Sequence, residues 1–129
     1  MKTHEFFRRI YYHDTDTGGV VYHTNYLVFM EAARCEWFID LGYDLHTGLP
    51  MFVARHVSVD YISPARFGDY LKITSTVTET GHTSFVVHHD VYKADTDTLL
   101  CQADVRLVHI DEKFKPTRIP GPIAKEKNT

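Results

Sequence analysis

The chain has 129 residues, of which 43% are hydrophobic, 13% aromatic and 24% charged. That length suits one domain, and that composition excludes a disordered chain. With 14 Lys and Arg against 17 Asp and Glu, the formal net charge is -3, so no chain-wide positive field exists to hold a nucleic-acid backbone. No apolar run reaches the ~18 residues of a membrane span. The first residues lead straight into patterned sequence, from which a cytoplasmic location is expected. Cys35 and Cys101 lie far apart with no CxxC spacing and are expected to be reduced, buried thiols.

In chain order, Phe6 to Tyr12 is a β-branched and aromatic run that suits a strand, and it ends at the turn formers His13 to Gly19. Tyr26, Phe29, Met30, Ala33, Trp37 and Leu41 recur at three- and four-residue spacing, which predicts a helix over 25–41. Thr24 or Asn25 suits its start and Gly42 its end. Leu27, Val28, Phe38 and Ile39 carry apolar groups around the other faces, so the helix is expected to be largely enclosed by a sheet. Strands are expected over Met51–Ile62, Tyr70–Glu79, Ser84–Lys93 and Leu99–Asp111, with a hairpin at Gly81-His82. The proline-bearing end, about 117–129, reads as an edge segment fraying into a tail. One apolar helix against about five antiparallel strands is an α+β layer, 1–129 forming a single domain, and the exposed edges of such a sheet suit pairing across a two-fold axis.

Chemistry concentrates between His13 and Tyr26, where two carboxylates, Asp14 and Asp16, precede the helix in His13-Asp14-Thr15-Asp16-Thr17-Gly18-Gly19-Val20-Val21-Tyr22-His23-Thr24-Asn25-Tyr26. The free N–H groups of a helix start carry partial positive charge and stabilise an oxyanion. A carboxylate facing those donors could act on a carbonyl held between them, and Gly18 and Gly19 would let the backbone approach a ligand. The same residues also serve as ordinary turn and cap formers. The 9 histidines include the adjacent pair His88-His89, whose rings in a strand face opposite ways. With no HExxH or closed Cys/His set, neither a metal nor another cofactor is expected.

The pattern Asp14-x-Asp16-x-x-Gly19-Val20-Val21-Tyr22-His23-x-Asn25-Tyr26 is followed by Phe29-Met30-Glu31-x-Ala33-Arg34, then Tyr61-x-x-Pro64-Ala65-Arg66-x-Gly68-Asp69, then Lys115-Pro116. Together these resemble the hotdog-fold acyl-CoA thioesterases of the 4-hydroxybenzoyl-CoA and YbgC-type group, from about Phe7 to Pro120. The resemblance implies a hotdog fold, a homodimer or a homotetramer built as a dimer of dimers, and active sites between subunits. It also implies an acyl-CoA or acyl-carrier-protein substrate. The family's catalytic carboxylate falls on Asp16 rather than Asp14, and its oxyanion donor falls near His23, a histidine as in YbgC-type members. Gly19, Tyr22, Asn25, Arg66 and Ser84 are candidate substrate contacts, and Arg55, Lys115 and Arg118 are further cations for the CoA phosphates. The YbgC-type likeness carries a hint of cell-envelope Tol-Pal or phospholipid-synthesis partners. Two other readings stand beside hydrolysis: a hotdog hydratase or dehydratase acting on acyl thioesters, and a non-catalytic module binding acyl chains or a carrier protein.

Overall fold

The computed structural model describes residues 2–48 and 50–126. Strand β1 (His4–Arg9) is followed by a 3-10 turn over Tyr12–Asp14, helix α1 (Asn25–Asp40), and strands β2 (Met51–Tyr61), β3 (Tyr70–Thr80), β4 (Ser84–Lys93) and β5 (Thr98–Ile110). The strands form one antiparallel sheet in the order β1-β3-β4-β5-β2. β4 has its expected bounds, and the other elements shift by a residue or two except β1. That strand stops at Arg9 because the Asp14 carboxylate accepts the Tyr11 N–H at 2.8 Å and curls the chain before Tyr12 can extend it.

The period-2 alternation of β3 and β4 puts Leu71, Ile73, Val77, Phe85, Val87 and Val91 on the face that α1 covers. The first half of α1 packs Tyr26, Phe29, Met30 and Ala33 against Leu71, Ile73, Val91 and Cys101. Its second half packs Trp37 and Phe38 against Val77, Phe85, Val105 and Leu107. Register shifts at Ala54/His56, Val77/Glu79 and Val91/Tyr92 bend the sheet around the helix. The helix stops where Gly42 (φ +101) donates to Ile39 O and Tyr43 donates to Phe38 O, a Schellman termination that only glycine enters cheaply. Thr24 occupies the N-cap position without a side-chain cap bond, and the Asn25 amide instead donates to Asp14 O at 2.9 Å.

Three expectations need correction. The helix is enclosed on one side only: Val28 and Ile39 are 58% and 50% exposed, because this chain's five strands reach round one face of the cylinder. Cys35 shares that outer face and is exposed, while Cys101 is buried. The C-terminal segment docks rather than frays as far as Glu126: Pro116 bridges to Ile110, a 3-10 turn forms over Gly121–Lys125, and Ile119 and Ile123 are buried in the second core cluster. Residues 127–129 of the expected tail lie outside the described residues.

One charged side chain sits on the inner face of α1. Arg34 is buried and donates to Nε2 of the fully buried His89 at 3.1 Å, while His89 Nδ1 meets Ser75 Oγ and Thr74 O, each at 3.1 Å. An arginine cannot accept a hydrogen bond, so His89 Nε2 is the acceptor and Nδ1 carries the proton. Burial, then the neighbouring Arg34, lowers the His89 pKa to about 3, so the ring is neutral at ordinary pH.

Candidate active site

The loop from Asp14 to Tyr22 folds back on itself as a small hairpin. Tyr22 N–H donates to Asp14 O, Asp16 N–H to Val20 O, and Gly19 N–H to Asp16 O. Gly19, at φ +81, takes the left-handed position of that turn. The hairpin is pinned to the segment after β2, because Val21 N–H donates to Ala65 O and Val20 bridges to Arg66. That segment is itself anchored at the β5 register shift, where Leu100 O accepts from both Ile62 and Ser63.

The two carboxylates have different surroundings. Asp14 is 4% exposed; its Oδ2 accepts from Arg8 Nη1 at 2.9 Å and from Tyr11 N–H at 2.8 Å, and its Oδ1 lies 3.5 Å from His13. The Arg8 guanidinium lies over the Phe29 ring at 4.2 Å, which joins this ion pair to the core. Asp16 is exposed. Its Oδ1 accepts the Gly18 N–H at 2.8 Å, and a Cβ on Gly18 would come to 3.2 Å of the same oxygen. Asp16 Oδ2 has no hydrogen-bond partner among the described residues. Asp14 therefore holds the loop, and Asp16 is presented by it.

The other arm of the hairpin runs through His23 to the start of α1. The backbone N–H groups of His23 and Thr24 donate to nothing among the described residues. A groove of about 260 Å³ opens there between Val21, His23, Tyr26, Tyr61, Ile62 and Pro64. Tyr61 donates its hydroxyl to His23 O at 2.9 Å, fixing the peptide chain beside the groove. Tyr26, whose hydroxyl accepts the buried Ala65 N–H at 3.0 Å, forms the floor, and burial pushes its phenol above the ordinary value. Free N–H donors, a free carboxylate oxygen and an aromatic-walled groove on one hairpin suit attack on a carbonyl whose oxygen gains charge.

Of the expected residues, Asp16, Gly19, Tyr22 and His23 share this hairpin and Asn25 ties α1 to it, while Arg66 is joined through Val20. Ser84 does not belong to it within one chain. β3 runs from Tyr70, beside the Arg66 turn, to Thr80, beside Ser84, a separation of roughly 33 Å. Ser84 Oγ accepts from Arg106 instead. Lys115 and Arg118 also lie at that far end, hydrogen-bonded to Asp111 and His109, and Arg55 sits at the β2 register shift. Sequence reasoning missed Arg8, and had Tyr61 only as part of the family pattern, with no role at the site. Arg8 had a signal: it is a cation on the inward phase of β1, next to a loop with two acids. Among the described residues no cluster of three or more His, Cys, Asp or Glu could hold a metal ion, and no helix is long and apolar enough to cross a membrane.

This helix-on-curved-sheet architecture, with an acidic hairpin at the helix start, is that of the hotdog-fold thioesterases. The chain belongs to the Thioesterase superfamily, whose family model matches residues 18–100. Within it, the chain is 39% identical over 122 residues to the acyl-CoA thioester hydrolase YbgC of Escherichia coli, covering 92% of this chain and 90% of that protein. A probable thioesterase from Bartonella henselae superposes with a TM-score of 0.82 at 32% identity over 92% of this chain and 98% of that one. The 4-hydroxybenzoyl-CoA thioesterase of a Pseudomonas strain shares the fold, with a TM-score of 0.82 at 23% identity over 93% of this chain and 95% of that one.

Proposed function

We propose that this chain hydrolyses acyl-CoA thioesters to a carboxylic acid and free CoA, with Asp16 as the reacting carboxylate and the backbone N–H at His23 as oxyanion donor. The observation that carries this reading is the division of labour between the two acids: Asp14 is spent on Arg8 and Tyr11, whereas Asp16 keeps a free oxygen on the arm opposite the free N–H groups. Either Asp16 attacks the carbonyl carbon, the C–S bond breaks and water hydrolyses the mixed anhydride, or Asp16 takes a proton from the attacking water. In both routes charge gathers on the carbonyl oxygen, where one donor contributes about 3 kcal/mol, or ~10²-fold in rate. The leaving thiolate is a weak base, with a pKa of roughly 8–9 by analogy with cysteine, so no strong general acid is required. The donor at His23 is a main-chain group, and the imidazole serves to position water or the carbonyl.

The working unit of this reading is a homodimer, with a homotetramer formed as a dimer of dimers. β2 is an edge strand, mostly exposed, with Val53, Val57 and Tyr61 uncovered, and such an edge is a template for a second copy. Antiparallel β2–β2 pairing sets the Met51 end of one copy beside the Tyr61 groove of the other. Met51 pairs with Ile110, the neighbour of Pro116, so Ser84, Lys115 and Arg118 of the second copy approach the groove that they cannot reach in their own chain. The setting is cytoplasmic, with Tol-Pal or phospholipid-synthesis partners as the YbgC-type likeness suggests.

The test is thiol release from short, medium, long and aromatic acyl-CoAs by wild type and Asp16→Asn. Hydrolysis of a saturated acyl-CoA, lost in the variant, is the expected result, and a hydratase or dehydratase could not give it. Full activity in Asp16→Asn overturns the assignment. No turnover of any CoA ester or acyl-carrier-protein ester by wild type leaves the binding-module reading in its place.

A further inference from the structure

The last residue of β2 is bonded to the peptide that opens α1. The Tyr61 hydroxyl donates to His23 O at 2.9 Å. That oxygen belongs to the same peptide unit as the Thr24 N–H, which donates to nothing among the described residues. Thr24 already has helical dihedrals, φ -73 and ψ -20, so its N–H points out of the helix end with the positive pole of α1. No side chain caps that end, and its first turn holds no acid. The Tyr61 ring is braced edge to face against the His23 ring at 6.2 Å and the Tyr26 ring at 5.7 Å. Its backbone is held by pairing with Cys101 and by Leu100 O, which accepts from the next two residues, Ile62 and Ser63. The sheet therefore fixes a hydroxyl on one chosen peptide of the helix start.

We propose that Tyr61 is a positioning residue for hydrolysis, its hydroxyl holding and polarising the His23–Thr24 peptide so that the Thr24 N–H serves as a second oxyanion donor beside that of His23. This inference rests on the acyl-CoA reading above. A proton donated to a peptide oxygen draws electron density toward that oxygen and makes the N–H of the same unit a stronger donor, by roughly 10–30%. The bond also keeps the peptide from turning its N–H away, so the donor needs no reorganisation when charge develops. Both effects act on the transition state, where the carbonyl oxygen is charged, more than on the bound thioester. The ring of Tyr61 walls the groove and is kept by phenylalanine, so the roles of ring and hydroxyl are separable.

The test uses wild type, Tyr61→Phe and Tyr61→fluorotyrosine, whose phenol is more acidic. In Tyr61→Phe, kcat for an acyl-CoA is expected to fall about 3–10-fold, with KM within about twofold and Tm within about 3 °C of wild type. The fluorotyrosine protein should keep wild-type kcat at pH 7 and lose it at a lower alkaline pH than wild type, as its hydroxyl ionises and ceases to donate. The titratable groups around the ring, His23, Tyr26 and Cys101, are the same in both proteins, so a packing role would leave that limb in place. In amide spectra of Tyr61→Phe the Thr24 nitrogen should move upfield, the direction for a peptide whose oxygen has lost a donor. Unchanged kcat in Tyr61→Phe overturns the proposal, and so does an alkaline limb that fluorotyrosine does not move. A raised KM with kcat intact overturns it too, and assigns the hydroxyl to substrate binding. If wild type hydrolyses no thioester, the acyl-CoA reading fails on its own, and the Thr24 nitrogen still decides whether Tyr61 polarises this peptide.

Discussion

Asp14 and Asp16 are two residues apart, and their removal is expected to produce opposite phenotypes. Asp14→Ala strips Arg8 of its carboxylate and Tyr11 N–H of its acceptor, at a site where the Asp14 side chain is 6% exposed and that of Arg8 is 22% exposed. Breaking a largely buried pair by removing one partner costs about 3–5 kcal/mol. For a domain of this size that corresponds to a fall in Tm of about 10–20 °C. Asp16→Asn keeps an amide oxygen that can accept the Gly18 N–H, so its stability should stay within about 0.5 kcal/mol of wild type, while kcat falls about 10²–10⁴-fold. Calorimetric Tm together with thiol-release kinetics on the same samples reads both effects. A folded Asp14→Ala protein with unchanged Tm and no activity would refute this division and move the reacting carboxylate to Asp14.

Tyr26→Phe removes the acceptor of the buried Ala65 N–H, so the urea midpoint should fall by the equivalent of about 1–3 kcal/mol; an unchanged midpoint would show that the bond contributes nothing. Gly19→Ala meets no atom within 4 Å of its new Cβ but must hold φ +81, so it should cost about 1–2 kcal/mol and lower kcat by displacing Asp16, with Gly19→Asn milder in both. His89 is held neutral because burial and Arg34 bring its pKa to about 3. With the folded value below the unfolded ~6.5, this contribution is complete above pH 6.5 and is lost as pH falls toward 3. Denaturant midpoints should therefore drop more steeply with acid in wild type than in His89→Gln, and parallel curves would contradict the buried neutral imidazole.

The strands were legible because residues 71–77 and 85–91 alternate cleanly, and α1 because its periodic residues end at a glycine. The hairpin that presents Asp16 was legible as a motif, but which acid is presented and which is anchored depends on Arg8 reaching across the turn. The outward face of α1 was hidden, since apolar side chains occur all round it and only the sheet decides that Val28, Cys35 and Ile39 face away. Arg34 and His89 are 55 positions apart and meet only when α1 lies on β4, although a cation at an inward helical position is a signal that a partner must exist. Ser84 follows the Gly81-His82 turn and suits either a pocket-edge contact or a strand start; it begins β4, and the length of β3 separates it from Asp16 within one chain. Ile119 and Ile123 looked like tail because two isolated isoleucines among prolines form no periodic pattern, yet both fill the space beside Trp37 and Phe85.

The first half of the core is closed by residues up to Ala103, but the second also needs Ile119 and Ile123. A chain truncated before Ile119 would therefore keep the residues of its helix and all five strands while Phe85 and Leu107 lose part of their cover. Such a truncation should bind chaperones that recognise exposed apolar surface, although every strand of the sheet is present.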